Sequence, residues 1–259
     1  MSNERSLETG SDVRAAARCG YAGFTVGLAP GFVQANVYIV PQSFARDFLA
    51  FCHANPVACP ILGRGEEGSY AMPALGRDID IRTDVPSFLV HEQGVERSAA
   101  DIVDLWRDDF VVFAVGCWLG AEGALAKAGI RMRHRELGLQ GGLYRTHLLA
   151  HSTGPFHGPL IVSMRPFHRD DVEGVISITA DMPLSHGAPL HLGDPAALGI
   201  ADLDHADWGD VVLPGEDETA VFWPCGLTAL QALKNAKIPF FISHAPGAML
   251  VTDLKEVFA

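Results

Sequence analysis

Two unbroken apolar runs, each followed by a cysteine and a helix-like stretch, constrain the fold more than any other feature of the sequence. One run covers residues 110–115 and precedes Cys117, and the other covers residues 220–223 and precedes Cys225 and Gly226. Apolar runs without alternation are typical of strands buried on both faces, as in a parallel sheet covered by helices. We therefore expect an α/β protein with a parallel sheet, and a ligand at the strand ends beside the helix starts.

The middle of the chain departs from this layout. It contains three candidate strands and one candidate helix, at residues 130–136, 143–149, 160–164 and 169–179. Three strands and a helix in succession indicate a small α+β unit inserted in a larger fold. The sequence thus predicts a three-layer α/β main domain of residues 1–128 and 186–259, with a smaller α+β inserted subdomain of residues 129–185.

The charge of the chain excludes two classes of partner. It carries 19 Lys and Arg against 31 Asp and Glu, a formal net charge of −12. Such a field repels nucleic acid backbones and anionic membrane surfaces, so we expect neither as a partner. A small acidic metabolite would also be repelled at long range. Any site for an acid must therefore supply its own local cations.

The cysteines and the apolar segments indicate where the protein works. The five cysteines form no C-x-x-C pair, which argues against a disulfide framework and a zinc knuckle. The N-terminal residues lack an apolar signal core. The longest apolar stretch, residues 110–119, is about half the roughly 20 residues that span a bilayer. We expect a cytoplasmic protein with reduced thiols; a homo-oligomer is compatible with the sequence.

An ordered series of short motifs extends from about residue 23 to residue 254. It includes Gly27-Leu-Ala-Pro-Gly31, Asp80-Ile-Arg82-Thr-Asp84, Leu105-Trp106-Arg107, Tyr144-Arg145-Thr146, Ser163-Met-Arg165-Pro166, His186-Gly-Ala-Pro189, Phe222-Trp223-Pro-Cys225-Gly226 and His244-Ala-Pro-Gly247. This series resembles the D-glutamate cyclase family, whose members are often labelled hydro-lyases. The resemblance implies an α/β fold with a smaller second domain, a reaction in which D-glutamate loses water to give 5-oxo-D-proline, and no cofactor.

Four positions depart from the pattern of the family that the chain resembles. Trp118 follows Cys117 where the family usually has Ser, and His147 replaces the Asn after Tyr-Arg-Thr. Leu230 replaces the Gln of Thr-Pro-Gln, and Ala248 replaces the His of Pro-Gly-His. Because polar residues have been lost or changed at these positions, we interpret the chain as a diverged branch of that family.

The implied reaction defines the catalytic groups that the sequence must contain. Closing the amine of glutamate onto its γ-carboxylate needs a base, donors for the oxyanion and a proton for the departing oxygen. The candidate bases and acid–base groups are Asp84, Asp202, His186, His191 and His244. With eleven histidines in the chain, most of them have ordinary structural roles.

Substrate binding needs a cation, because the substrate carries carboxylates. Arginine, with its planar fork of donors, suits this task, and the candidates are Arg82, Arg107, Arg145 and Arg165. Each of them could instead belong to a structural ion pair. Backbone N–H groups beside Cys117, Cys225 and Gly226 could bind an oxyanion, and Asn36 could orient the substrate. The two thiols would have lowered pKa values if they face helix starts, although buried packing is the commoner role of cysteine.

Two other functions remain open at this point. His186, His191 and Asp194 have a spacing that could hold a divalent metal, which would suit a metal-assisted hydratase or dehydratase of a small hydroxy acid. We favour Asp194 as the cap of a turn opened by Pro195, and we predict no metal site. The second alternative is a non-catalytic protein that binds a small acid.

Overall fold

A computed structural model describes residues 7–255 of the 259-residue chain. Its helices are α1 (Gly10–Arg18), α2 (Gln42–Ala54), α3 (Glu122–Lys127), α4 (Arg133–Glu136), α5 (Val172–Ala180) and α6 (Leu227–Asn235). Its strands are β1 (Phe32–Pro41), β2 (Ile61–Arg64), β3 (Phe88–Glu92), β4 (Val95–Ala99), β5 (Phe110–Gly116), β6 (Gly142–Leu149), β7 (Pro159–His168), β8 (His191–Leu192), β9 (Trp208–Gly209), β10 (Glu218–Pro224), β11 (Phe240–His244) and β12 (Leu250–Lys255). Helices packed on sheets confirm the expected α/β class. No helix within the described residues is long and apolar enough to cross a bilayer.

The first sheet has seven strands in the order β2-β5-β1-β11-β3-β4, with β12 also paired to β1. One face packs on α2 and α6 through a core that includes Tyr38, Phe48 and Leu233. The other face is covered by the segment before β3, through residues such as Leu75 and Ile81. Both faces of β5 are therefore buried, as its unbroken apolar run predicted.

The prediction of a parallel sheet is wrong, because every strand pair in this sheet is antiparallel. An apolar run reports that both faces of a strand are covered. It carries no information on the direction of the neighbouring strand, and here the cover on one face comes from a long irregular segment.

The second sheet has five strands in the order β8-β10-β7-β6-β9 and is also antiparallel. Its centre is the pairing of β10 with β7, in which Phe222 lies opposite Met164. We expected residues 220–223 in the same sheet as residues 110–115, and that expectation is wrong. The predicted insert, residues 129–185, supplies only β6 and β7 of this sheet. Its limits as a domain stay a prediction.

Residues 130–136 form no strand in the structure. The segment contains the single turn α4, in which His134 is fully buried and its Nε2 lies 2.8 Å from Oε1 of Glu122. The alternation of arginines with uncharged residues suggested a strand. A tertiary contact between two buried polar side chains determines the local conformation instead.

A buried ion-pair network attaches α1 to the first sheet. Asp84, which we considered as a catalytic base, has a fully buried side chain and accepts a hydrogen bond of 2.5 Å from Nε of Arg18. Arg14 is also fully buried, with its Nε 3.9 Å from Asp84 and its Nη2 2.8 Å from Asp253. The carboxylate of Asp84 is thus held by two arginines, which is a structural role.

We predict that Asp84→Ala lowers the free energy of unfolding by about 3 kcal/mol, because a buried cation network loses an anion. Urea unfolding followed by circular dichroism measures this change. The control is Asp109→Ala, which removes an exposed partner of Arg107 and should change stability by about 0.5 kcal/mol or less. Equal effects of the two substitutions would contradict a structural role for Asp84.

Candidate active site

A cavity of about 250 Å³ is lined by residues of both sheets and of the segments that follow their strands. Most of its wall is apolar and includes Phe24, Trp118 and Trp208. The polar side chains on the wall are those of Asn36, Gln140, Ser163, Arg165, His186, Asp210 and His244. An apolar wall with a few convergent polar groups is the usual composition of a small-molecule site. We therefore take this cavity as the candidate active site.

Arg165 is the buried cation of the cavity. It lies on β7, is 4% exposed, and its guanidinium is 4.7 Å from the ring centre of Trp118. Burial lowers its pKa and the nearby carboxylate of Glu122 opposes this, but an arginine stays charged in proteins. Within residues 7–255 the guanidinium makes one hydrogen bond, from Nη1 to the Met164 carbonyl, and no ion pair with a carboxylate. A buried charge without a carboxylate in ion-pair contact is costly, and an anionic ligand would lower that cost.

His186 lines the cavity and has one unprotonated ring nitrogen. Its Nδ1 lies 2.7 Å from the Val57 carbonyl oxygen, which can only accept, so Nδ1 carries the proton. Its Nε2 is then left with a lone pair and has no partner within the described residues. Burial lowers the pKa of His186 to about 4. The ring is therefore neutral near pH 7 and can act as a base.

His244 has the opposite arrangement of its ring nitrogens. The backbone N–H of Val37 donates to His244 Nδ1 at 3.2 Å, and the Val37 carbonyl oxygen is more distant at 3.4 Å. An Nδ1 that accepts from an N–H cannot carry a proton, so the proton lies on Nε2. Burial lowers the pKa of His244 to about 4. His244 therefore offers a neutral N–H donor where His186 offers a lone pair.

Asn36 and Gly226 meet at the junction between the sheets. Asn36 Nδ2 donates to the Gly116 carbonyl at 2.9 Å, which leaves Oδ1 as the free acceptor of the amide. A Cβ atom on Gly226 would lie 2.5 Å from Asn36 Nδ2, so the close approach requires glycine at position 226. Tyr38 Oη also donates to the Gly226 carbonyl, at 2.8 Å. Gly226 supports the wall without forming part of it.

Cys117 and Cys225 both line the cavity, directly after β5 and β10. Lowered thiol pKa values were expected only if the thiols faced helix starts, and the commoner role of cysteine, buried packing, is the one that the structure shows. Burial raises the pKa of Cys117 to about 12 and also raises the pKa of Cys225. Because both thiols stay protonated at neutral pH, neither is an activated nucleophile.

Three of the four candidate arginines lie outside the cavity and pair with aspartates. They are Arg82 with Asp80 at 2.7 Å, Arg107 with Asp109 at 2.7 Å and Arg145 with Asp207 at 3.9 Å. The sequence could not distinguish these three arginines from Arg165, because it does not show how far each arginine lies from an aspartate in the folded chain.

His191 and Asp202 also lie away from the cavity wall. His191 Nε2 is 2.7 Å from the Asp194 carbonyl oxygen, and Asp202 is half-exposed with its Oδ2 2.9 Å from His205. Asp194 Oδ1 accepts from the N–H of Ala196, which confirms the predicted cap. His186 and His191 thus have different partners, and the three residues of the proposed metal spacing do not converge.

Sequence reasoning gave no role to Ser163 or Asp210. Ser163 Oγ is buried without a hydrogen-bond partner among the described residues. Ser163 is two residues before Arg165 on one strand, and this period of two could have placed both on the same face. Asp210 lies in an irregular segment after β9, and no pattern in the sequence distinguishes it from the other acidic residues of loops.

Comparisons with known proteins identify the family. The model of the D-glutamate cyclase family matches residues 111–253. A protein of Verminephrobacter eiseniae is 47% identical over 245 residues, which are 94% of this chain and 89% of that protein. A protein of Azorhizobium caulinodans is 47% identical over 253 residues, 97% of this chain and 93% of its own length. One from Burkholderia multivorans is 49% identical over 248 residues, 95% of each chain. All three bear the name "Putative hydro-lyase".

Among solved structures, the chain is similar to a nitrogen repressor-like protein from Methanococcus jannaschii. The TM-score is 0.41 at 11% identity, with 97% of this chain and 100% of that chain covered. At this level the similarity supports no conclusion about fold or function.

The fold and the cavity define an α/β protein with a largely apolar, partly charged chamber. The chain belongs to the D-glutamate cyclase family, and its relatives are named as lyases. The resemblance stated from the motifs is thus confirmed. Of the four departures, Trp118 lines the cavity, whereas Leu230 and Ala248 are buried and His147 packs against Gly199.

We predict that stability falls as the pH is lowered from about 6.5 to about 4. In this window the unfolded chain protonates His186 and His244, whose pKa values are about 4 when folded, so the unfolded state binds more protons. The loss is at most about 3 kcal/mol for each histidine and is complete below pH 4. Urea unfolding between pH 7 and pH 4 measures it.

The matched variants are His186→Gln and His205→Gln. The first removes one buried titrating group, so its stability should depend less on pH than that of the wild type. The second removes an exposed histidine and should leave the dependence unchanged. If His186→Gln kept the full pH dependence, His186 would not be one of the groups that cause it.

Proposed function

We propose that this protein is a carbon–oxygen lyase that closes a small amino dicarboxylic acid into a lactam, as in the conversion of D-glutamate to 5-oxo-D-proline. The observation that carries the proposal is Arg165, a buried cation on the wall of the cavity that forms no ion pair within residues 7–255. Two neutral histidines share that wall. Membership of the family supports this reaction over other chemistries of small acids.

The proton transfers of this reaction match the two histidines. A C–N bond forms between the amine nitrogen and the γ-carbon, and one C–O bond of the γ-carboxylate breaks. The ammonium group loses two protons, and the departing oxygen takes both and leaves as water. His186 Nε2 accepts each proton and returns it to the departing oxygen. A bound γ-carboxylate beside the ring raises the pKa of His186 from its value in the empty cavity, which favours this exchange.

His244 and the wall of the cavity would stabilise the tetrahedral intermediate. The Nε2–H of His244 is a neutral donor for the oxyanion, and the Ser163 hydroxyl is a buried donor without a partner in the described part of the chain. Asn36 Oδ1 can accept from the amine. The apolar part of the wall limits the water that competes for these hydrogen bonds.

The geometry favours this function over the two alternatives. A metal-assisted hydratase would need His186, His191 and Asp194 to converge, but His191 and Asp194 lie off the cavity wall. A protein that only binds an acid would need Arg165 and no more. The complementary protonation of His186 and His244 favours a catalyst.

The test is proton NMR of the protein with D-glutamate, L-glutamate and 5-oxo-D-proline, beside a boiled control. We expect interconversion of D-glutamate and 5-oxo-D-proline. Arg165→Met should weaken D-glutamate binding about tenfold to a hundredfold, because it removes a charged hydrogen-bond donor. Arg145→Ala, at a half-exposed site outside the cavity, should bind as the wild type. No conversion by the wild-type protein would contradict the proposed reaction.

We predict that His186→Asn lowers kcat by about a hundredfold to ten-thousandfold, the usual contribution of a general base, with little change in D-glutamate affinity. The initial rate of conversion at saturating D-glutamate, followed by NMR, gives kcat, and calorimetric titration gives the affinity. His205→Asn is the control, since His205 is exposed and outside the cavity. A variant at position 186 with normal kcat would remove His186 from the catalytic groups.

A further inference from the structure

Asp210 and Arg165 are oppositely charged residues on the wall of one cavity. Within the part of the chain that the structure describes, they form no ion pair. Arg165 is buried and Asp210 is partly buried, and a buried charge is costly to desolvate without an opposite charge to pair with. Two such charges kept apart in one cavity indicate a ligand that carries both signs.

A single glycine turn separates the two charges. Asp210 Oδ2 accepts from the backbone N–H of Gln140 at 2.9 Å, and the backbone N–H of Asp210 donates to the Gly141 carbonyl at 3.3 Å. A Cβ on Gly141 would lie 2.9 Å from Arg165 Cζ. Gly141 has φ +85°, a conformation that L side chains rarely adopt. The Gly141 turn is therefore next to both the carboxylate of Asp210 and the guanidinium of Arg165.

Within the described residues, Asp210 has a free acceptor oxygen for an ammonium group, and Arg165 has free N–H donors for a carboxylate. Asp210 Oδ1 has no hydrogen-bond donor within residues 7–255, and Arg165 Nε and Nη2 have no acceptor there. An α-amino acid carries an ammonium and a carboxylate on one carbon. Such a head group, laid across Gly141, would pair both charges at once.

We propose that Asp210 binds the ammonium group of the substrate while Arg165 binds its α-carboxylate, so that the cavity selects zwitterionic α-amino acids. The assignment rests on the proposed function in one respect, the carboxylate at Arg165. The amine has three hydrogens and the ring closure removes two. The hydrogen bonded to Asp210 is the one that remains on the lactam nitrogen, so Asp210 also contacts the product.

The test compares D-glutamate with glutarate, which has the same two carboxylates and lacks the ammonium group. Calorimetric titrations are run under conditions in which NMR detects no conversion. Asp210→Asn keeps an oxygen that can accept from Gln140 N–H and removes the charge. We expect this variant to lose about tenfold or more in D-glutamate affinity and to bind glutarate at least as well as the wild type. Arg165→Met should weaken both ligands.

The control is Asp207→Asn, at a neighbouring aspartate that does not line the cavity; it should bind both ligands as the wild type does. Unchanged D-glutamate affinity in Asp210→Asn overturns the inference, and so does an equal loss for both ligands, which would show that Asp210 only supports the turn. Binding of neither ligand to the wild-type protein also overturns it. Asp210-dependent binding of D-glutamate without turnover leaves the inference standing and removes only the proposed reaction.

Discussion

The candidate active site depends on β1, which pairs with one strand along its first part and with a different strand further on. Residues 32–35 of this strand pair with β12, and residues 38–39 pair with β11. Between them the ladder has a gap, where the N–H of Val37 finds no backbone acceptor and donates to His244 Nδ1 instead. The flanking residues point to the other walls, since Asn36 bonds to the end of β5 and Tyr38 bonds to Gly226 before α6. Asn36, Val37 and Tyr38 thus connect β1 to the end of β5, to His244 at the end of β11 and to the start of α6.

The same arrangement explains how two separate antiparallel sheets can share one cavity. β5 belongs to the first sheet and β10 to the second, yet the residues that follow them, Cys117 and Cys225, lie on one wall. Each of these strands is followed by a helical segment, so in both cases the chain turns directly after the strand, at the cysteine. The cavity at these strand ends follows from this turn, and it forms here between antiparallel sheets.

The sequence predicted the elements better than their pairing. Apolar runs and periodicity placed β5, β6, β7 and α5, because burial of a face has a direct signature in the chain. The partner of β10 has no such signature. For the site, motif membership identified Arg165, His186 and His244. It also suggested Asp84 and Arg107, because residue type reveals a charge but not the counter-charge that lies next to it. The sequence did not indicate Asp210 as a site residue, because its proposed role depends on a turn at Gly141, which is distant from it in sequence.

Burial gives the cavity its chemistry and also weakens the fold around it. Trp118 Nε1, Ser163 Oγ and Arg165 Nε are buried without hydrogen-bond partners among residues 7–255, and all three belong to the wall. Each lost hydrogen bond costs about 1–3 kcal/mol in the unliganded protein. A core designed for stability alone would fill this space with apolar side chains. The unsatisfied groups are explained if a polar ligand satisfies part of them, since the cost in the empty protein then returns as affinity for that ligand.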